Sequence, residues 1–167
     1  MKIKKMIIAE IGSTHDGSLA VAKKSIKVAS ESGANAVKFQ MHIAEDETLK
    51  NAPSPKYFKN EKRYEYFKRT AFSINQWKIL FNTCKKYKVE FLCSPFSLKA
   101  VEILEDLGVK AYKIPSGEVT NIPLLNLISR KKKPVLLSTG MSNWKEIEIA
   151  TSIFKKNKLI VMQCSSQ

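Results

Sequence analysis

The sequence predicts an α/β protein built from repeated β/α units with parallel strands. Strand-like and helix-like patterns alternate along all 167 residues, and regular alternation of this kind indicates parallel crossover connections. Polar side chains follow the strand-like segments, as in folds whose sites lie at the carboxyl ends of parallel strands. The turn after the first strand, EIGSTHDGS at residues 10–18, lacks the glycine spacing of a dinucleotide-binding fold. A barrel of β/α units is therefore favoured over an open doubly wound sheet.

The first part of the chain predicts two strands, one helix and a long connection. Residues 6–12 (MIIAEIG) form the first strand, and residues 34–40 (ANAVKFQ) form the second. Between them, residues 18–34 place apolar side chains at helical spacing, and Gly33 closes the helix. Residues 42–72 are polar and aromatic. Because this stretch is too long for an ordinary connection, it predicts a functional loop with a helical turn.

The middle of the chain continues the same alternation. Residues 73–88 predict a helix with Ser73 as its N-cap. Residues 89–96 (VEFLCSPF) predict a strand, and a further helix is expected to start at Ser97 and end near Gly108.

The last third of the chain supplies three more strand-like segments and two more helices. The strands are expected in residues 111–118, 134–141 and 158–166, and the helices in residues 121–131 and 142–156. The chain thus contains about six strands and five helices in regular order. We expect α/β architecture in the form of a partial (β/α)8 TIM barrel of about six units, folded as one incomplete domain over residues 1–167.

Composition narrows the class of protein. The chain is 44% hydrophobic and contains no apolar run long enough to cross a bilayer, so no membrane association is expected. Its three cysteines are widely spaced and fit neither a disulfide framework nor a zinc site, which favours a reducing cytoplasm.

The net charge of +14 raises the question of nucleic-acid binding. Nearly all of the charge comes from lysines scattered over helical segments, and the arginines that base and phosphate recognition favours are few. We therefore expect a lysine-rich solvated surface, no nucleic-acid partner and an anionic small-molecule substrate.

Polar side chains near the ends of several strands form the candidate site. Side chains alternate along a strand, so Lys38 shares one face with Gln40, and Lys113 points away from Tyr112 and Ile114. If the apolar partners pack on helices, both lysines face the interior of the barrel near its carboxyl rim. Two lysines among hydroxyls suit a phosphate or carboxylate ligand; the alternative is that they are half-exposed strand residues.

Acidic residues, histidines and cysteines near the strand ends have different expected roles. Glu10 and Glu118 are candidates for a carboxylate that orients or deprotonates a hydroxyl, or else are capping or salt-bridged acids. His15 and His42 are expected to be polar loop residues rather than metal ligands. Two cysteines lie inside apolar runs and are expected to pack in the core: Cys93 and Cys164.

Five motifs carry a resemblance to a known family: IAEIGSTHDGS, AVKFQ, FLCSPF, YKIPSGEVTNIPLL and LLSTGM. In this order and spacing they closely resemble the N-terminal barrel of sialic acid synthases. That resemblance implies condensation of phosphoenolpyruvate with an N-acetylated amino sugar, usually N-acetylmannosamine, to give sialic acid (N-acetylneuraminate) and phosphate. It also implies a divalent metal, Mn²⁺ or Mg²⁺, and a homodimer in the full-length enzyme.

The resemblance also implies roles for individual residues. Glu118 of the SGE motif is where the family places its main catalytic carboxylate. Glu10 and Gln40 lie where the family contacts or supports the amino sugar. The remaining positions correspond to residues that hold the phosphate and carboxylate of phosphoenolpyruvate: Lys38, Ser94, Lys113, Ser116, Ser138 and Ser166.

The sequence departs from the family in its length. The family's metal-binding histidines lie on later strands, and neither His15 nor His42 matches them, so no metal ligand is assigned. The last two barrel units and the small C-terminal antifreeze-like domain have no counterpart before Gln167. We therefore expect a fragment of a longer enzyme, inactive by itself because a barrel cut after six strands exposes two parallel edges.

Two alternatives stay open. Legionaminic and pseudaminic acid synthases share these motifs and this chemistry and differ in the sugar. A non-catalytic fragment that binds anionic metabolites is the alternative from a different functional class.

Overall fold

A computed structural model describes residues 6–54 and 61–165. Its six strands are β1 Ile8–Gly12, β2 Ala36–Met41, β3 Glu90–Pro95, β4 Tyr112–Ile114, β5 Val135–Ser138 and β6 Leu159–Met162. The α-helices of the described residues are α1 Leu19–Glu31, α2 Ala44–Glu47, α3 Arg63–Thr70, α4 Ile74–Lys86, α5 Leu98–Leu107, α6 Ile122–Arg130 and α7 Trp144–Ile153. A single 3₁₀ turn covers Ser116–Glu118.

The chain divides into two compact units, and the division falls between Leu92 and Cys93 in the sequence of β3. The first unit spans Met1–Leu92 and the second spans Cys93–Gln167. The strands form two three-stranded sheets, ordered β1-β2-β3 and β4-β5-β6. β1 pairs with β2 in parallel, β4 with β5, and β5 with β6. The α/β class with parallel strands is therefore confirmed, and a single domain over residues 1–167 stays a prediction.

An aromatic core holds the first unit together. Phe39 on β2 is fully buried and packs edge-on against Trp77 of α4, with ring centroids 6.0 Å apart. Phe91 on β3 stacks on Phe39 at 5.9 Å, and Ile26 and Leu80 complete the interior from α1 and α4. Burial of these large side chains provides the main driving force for packing the two helices against the sheet.

Helix ends follow the predicted signals. Ser73 caps α4 and forms a capping box with Gln76, Ser97 caps α5, and α5 ends at Gly108 in the left-handed conformation. Each cap satisfies backbone groups that the helix leaves without a partner. The predicted starts of both helices and the predicted end of α5 are therefore confirmed.

The second unit packs α5, α6 and α7 around the sheet β4-β5-β6. Leu124, Leu125 and Ile128 form the fully buried face of α6. On β4, Tyr112 and Ile114 are fully buried and Lys113 is 5% exposed. The Tyr112 hydroxyl donates to Glu105 Oε2 at 2.6 Å. Lys113 is thus a charged exception in a strand that is otherwise apolar and buried.

The connection after β2 differs from its predicted form. Residues 42–72 contain two helices, α2 and α3, where one helical turn was expected. Tyr64 and Phe67 of α3 are buried and form a small cluster with Ala44 of α2. The segment has its own apolar core, which its mixed polar and aromatic sequence did not indicate.

Gly17 is predicted to be intolerant of alanine. Its φ is +80°, and a β-carbon there would lie 2.8 Å from the backbone oxygen of Arg69. We expect Gly17→Ala to lower the free energy of unfolding by roughly 2–4 kcal/mol, because left-handed strain and a clash with rigid backbone add. The matched control is Gly33→Ala, since Gly33 has φ +84° and nothing within 4 Å of an added β-carbon. Urea denaturation should show a loss of about 1 kcal/mol for the control; equal losses in the two variants would contradict the clash.

Among the helices of residues 6–54 and 61–165, none has both the length and the apolar character needed to span a bilayer.

Candidate functional site

Glu10, Lys38 and Gln40 come together at the ends of β1 and β2. The strand register places Glu10 opposite Lys38, and Lys38 Nζ lies 2.6 Å from Glu10 Oε2. The lysine side chain is 8% exposed and the glutamate side chain is 53% exposed. Gln40 Oε1 accepts a hydrogen bond of 3.2 Å from the Ser13 hydroxyl. Burial of the ammonium group requires such a counter-charge, and the open side of Glu10 leaves its carboxylate accessible.

Gly12 is a residue of this cluster that the sequence analysis missed. Its φ is +54°, and a β-carbon there would lie 3.1 Å from Glu10 Oε1 and 3.8 Å from Gln40 Oε1. The strand register also shifts between Glu10 and Gly12. Gly12 therefore leaves room for both polar side chains at an irregular strand end. A glycine at the end of a strand-like run was the available signal.

Lys113 and Ser138 form the centre of a second cluster, in the second unit. Lys113 Nζ donates to Ser138 Oγ at 2.6 Å and to the Ile114 carbonyl oxygen at 2.9 Å. Lys113 is 5% exposed and Ser138 is 7% exposed. In the loop after β4, Ser116 Oγ accepts a 3.0 Å hydrogen bond from the Gly140 N–H. An ammonium group beside the Ser138 hydroxyl, with the Ser116 hydroxyl in the same unit, is a donor set that suits phosphate or carboxylate oxygens.

Cys164 belongs to the second cluster, so its prediction as a core residue is wrong. The thiol is half-buried and donates to the Met162 carbonyl oxygen at 3.5 Å. Burial by itself raises the pKa of the Cys164 thiol. Hydrogen bonds with Ser138 and the Thr139 backbone, together with the positive charge of Lys113, outweigh the effect of burial. The pKa of the thiol is therefore lowered below its ordinary value. The apolar run before Cys164 suggested a core position, while the structure places the thiol just beyond β6. Cys93 is buried as expected.

Thiol reactivity tests this arrangement. We expect iodoacetamide to alkylate Cys164 first and at a pH below about 8.5, the usual thiol pKa, because the thiolate is the reactive form. Cys84 is the internal control, since burial raises the pKa of its thiol to about 12. Peptide mass spectrometry after timed alkylation at several pH values measures both rates. Alkylation of Cys84 at the same rate as Cys164 would be inconsistent with the structure.

Glu118 is held by the cap of the following helix. Its Oε2 accepts a 2.7 Å hydrogen bond from Asn121 Nδ2, and Asn121 in turn caps α6 through the Leu124 N–H. The side chain is half-buried. Glu118 is therefore positioned by the 3₁₀ turn and the helix cap together, which restricts the rotamers of its carboxylate.

Two further serines were predicted to bind the anion. Ser94 lies on β3 and is fully buried. Ser166 lies outside the described residues.

Both histidines lie in loops, as expected, and both side chains are buried. His15 Nδ1 accepts from the Gly17 N–H at 3.1 Å, and the ring stacks on Phe72 at 4.3 Å. Burial lowers the pKa of His15, partly opposed by the charge of Asp16. His42 Nδ1 lies 2.7 Å from Glu47 Oε1. Both rings are integrated into local packing.

A metal site does not fit the residues that the structure describes. No group of three or more His, Cys, Asp or Glu side chains within residues 6–54 and 61–165 has the geometry to hold a metal ion. Three protein ligands of this kind are the usual minimum for zinc, whereas Mg²⁺ usually binds through one or two carboxylates together with waters and substrate phosphates.

The chain matches a known protein family and several of its curated members. The family model described as "NeuB family" matches residues 25–167. The chain is 37% identical to the N,N'-diacetyllegionaminic acid synthase of Campylobacter jejuni over 98% of this chain and 52% of that protein. It is 33% identical to the pseudaminic acid synthase of Campylobacter jejuni over 98% of this chain and 50% of that protein.

A solved structure extends the likeness to the fold. It is the crystal structure of an N-acetylneuraminic acid (sialic acid) synthetase from Leptospira borgpetersenii in complex with citrate, which is 32% identical, with a TM-score of 0.83. The match covers 97% of this chain and 54% of that one. The chain thus spans about half the length of the curated relatives that it matches. The family model, the sequence identities and the shared fold together show that the chain belongs to the NeuB family.

Proposed function

We propose that the protein takes part in condensing phosphoenolpyruvate with an N-acetylated amino sugar, giving a nine-carbon sugar acid and phosphate. The observation that carries this proposal is the cluster of Lys113, Ser138 and Ser116, whose donors suit phosphate and carboxylate oxygens. Membership of the NeuB family supports it. Phosphoenolpyruvate carries both anionic groups, so it matches the charge of the cluster.

The proposed roles follow the contacts in each unit. Lys113 and its hydroxyl neighbours bind the anionic end of phosphoenolpyruvate. Glu10 and Gln40 contact the amino sugar, and the ion pair of Glu10 with Lys38 fixes the carboxylate that does so. Lys38, Ser94 and Ser166 are proposed to add further contacts to the anion.

In the proposed reaction, the enol carbon of phosphoenolpyruvate bonds to the aldehyde carbon of the open-chain sugar. The aldehyde oxygen takes a proton and becomes a hydroxyl. Positive character develops at the carbon that bears phosphate, a water oxygen adds there, and phosphate leaves when the carbon–oxygen bond breaks. Glu118 accepts one proton of that water as it adds, and the second proton is lost when the new hydroxyl becomes the keto group. These two protons balance the one that the aldehyde oxygen gains and the one that the phosphate carries away. Fixed lysines stabilise the departing phosphate without reorganisation.

The sugar has a second candidate. N-acetylmannosamine, leading to N-acetylneuraminate, is supported by the 32% identity and the fold match to a sialic acid synthetase. A diacetylated sugar of the legionaminic series is supported by the 37% identity to a legionaminic acid synthase. The partial (β/α)8 barrel, the divalent metal, the homodimer and the cytoplasmic location stay predictions.

Phosphate release tests the proposed function in the full-length protein. We expect phosphate from phosphoenolpyruvate when an amino sugar and Mn²⁺ or Mg²⁺ are supplied together, and background release when either is omitted. Comparing N-acetylmannosamine with a diacetylated sugar of the legionaminic series identifies the substrate. Tight phosphoenolpyruvate binding without sugar-dependent phosphate release would favour the non-catalytic binding fragment.

A further inference from the structure

A groove of about 550 Å³ lies between α1 and α4 of the first unit. Its wall includes Ile79 and Tyr87. Four lysines line it: Lys23, Lys24 and Lys27 from α1, and Lys86 from α4. The volume falls in the range of small-molecule sites, and none of the groove residues belongs to the clusters proposed to bind phosphoenolpyruvate or the amino sugar.

All charged residues that line the groove are positively charged. Half of its eight lining residues are lysines and none is acidic. Lys27 lies 3.7 Å from Glu31, but both side chains are more than half exposed, so solvent weakens that pair. Four ammonium groups around one concave surface produce a positive potential that attracts a multivalent anion.

The groove also has an apolar component. Ile79 is 42% exposed although it lies beside the packed faces of α1 and α4. Lys86 Nζ lies 5.8 Å from the centroid of the Tyr87 ring, and the methylene stems of the lysines add apolar surface next to the charges. A ligand that fills this surface therefore combines an anionic group with a flat or apolar body, since inorganic anions would leave the wall uncovered.

The groove is formed in advance by contacts between its two helices. Ser30 Oγ near the end of α1 donates to the Tyr87 carbonyl oxygen at the end of α4, at 2.8 Å. The capping box of Ser73 and Gln76 fixes the other end of α4. A rigid wall lowers the entropy cost of ordering side chains when a ligand binds.

We propose that this groove binds a nucleoside triphosphate. The lysines Lys23, Lys27 and Lys86 contact the phosphates, and the base lies against the apolar wall beside Tyr87. Stacking of a base on an aromatic ring is tolerant of base identity, so the groove is expected to prefer the triphosphate group over a particular base.

Isothermal titration of the full-length protein tests the proposal with three probes: ATP, inorganic triphosphate and adenosine. ATP is expected to bind more tightly than inorganic triphosphate by at least about fivefold, and more tightly than adenosine by a larger factor. Saturating phosphoenolpyruvate is expected to leave ATP binding unchanged. Equal affinity for ATP and inorganic triphosphate, or displacement of ATP by phosphoenolpyruvate, would overturn the proposal.

A pair of triple variants separates the groove from the general charge of the protein. Lys23→Gln/Lys27→Gln/Lys86→Gln removes three groove charges and keeps most of each stem. Lys145→Gln/Lys155→Gln/Lys156→Gln removes the same charge from exposed positions of the second unit. The groove variant is expected to weaken ATP binding about tenfold or more, and the control by less than about twofold. Similar losses in both variants, or no ATP binding by the unmodified protein, would reject the site.

Discussion

Lys113→Ala is expected to raise the KM for phosphoenolpyruvate by roughly 100-fold in the full-length protein. The side chain is 5% exposed and its ammonium group donates to Ser138 at 2.6 Å. Removing a buried charge that binds an anion costs about 3 kcal/mol, which corresponds to that change in affinity. Initial-rate kinetics at saturating amino sugar measure the effect.

Lys158→Ala is the matched control for Lys113. Lys158 is exposed and immediately precedes β6 in the same unit, so its removal changes the net charge equally without touching the cluster. The control is expected to leave the KM for phosphoenolpyruvate within about twofold. Circular dichroism of both variants verifies that each is folded. A folded Lys113→Ala protein with an unchanged KM for phosphoenolpyruvate would refute the assignment of Lys113.

Glu118→Gln is expected to lower kcat by roughly 10²–10⁴-fold, the usual contribution of a general base. The amide is nearly isosteric and keeps an oxygen that accepts from Asn121, which is 2.7 Å from the carboxylate. It accepts no proton from water at neutral pH. The KM for phosphoenolpyruvate is expected to stay within a few-fold of its original value, because the anion contacts lie on other residues.

The control for Glu118 is Glu102→Gln on α5. Glu102 is exposed and pairs with Lys99 at 3.1 Å, so its substitution removes a surface ion pair of small energetic value. We expect unchanged kcat for this variant. A Glu118→Gln enzyme with kcat close to that of the original protein would exclude the catalytic role.

Much of the fold was predictable because local signals agreed with the tertiary structure. Ser73, Ser97 and Gly108 mark helix ends by chemistry that depends on neighbouring backbone alone. The two helices in residues 42–72 were predicted only as a loop with a helical turn, because local sequence signals do not show how they pack together. Their core depends on Tyr64 and Phe67 meeting Ala44 from a different helix, a contact that periodicity within one segment does not reveal.

Strand geometry allowed the burial of two candidate site residues to be predicted from the sequence. Alternation along the strand predicts that Lys38 and Lys113 face the barrel interior, and the structure shows that both are buried. Gly12 and Cys164 were missed because their importance depends on neighbours from other strands. The space above Gly12 is shared by Glu10 and Gln40, and the environment of Cys164 is set by Ser138.

Transfer of an isotope label tests the central claim most directly. Phosphoenolpyruvate carrying ¹⁸O in the oxygen that bridges carbon and phosphorus is incubated with the full-length protein, the amino sugar and Mn²⁺, and both products are analysed by mass spectrometry. The proposed carbon–oxygen cleavage predicts ¹⁸O in the released phosphate and an unlabelled keto group in a nine-carbon sugar acid. Label in the sugar acid would contradict carbon–oxygen cleavage, and phosphate without a nine-carbon product would contradict the condensation itself.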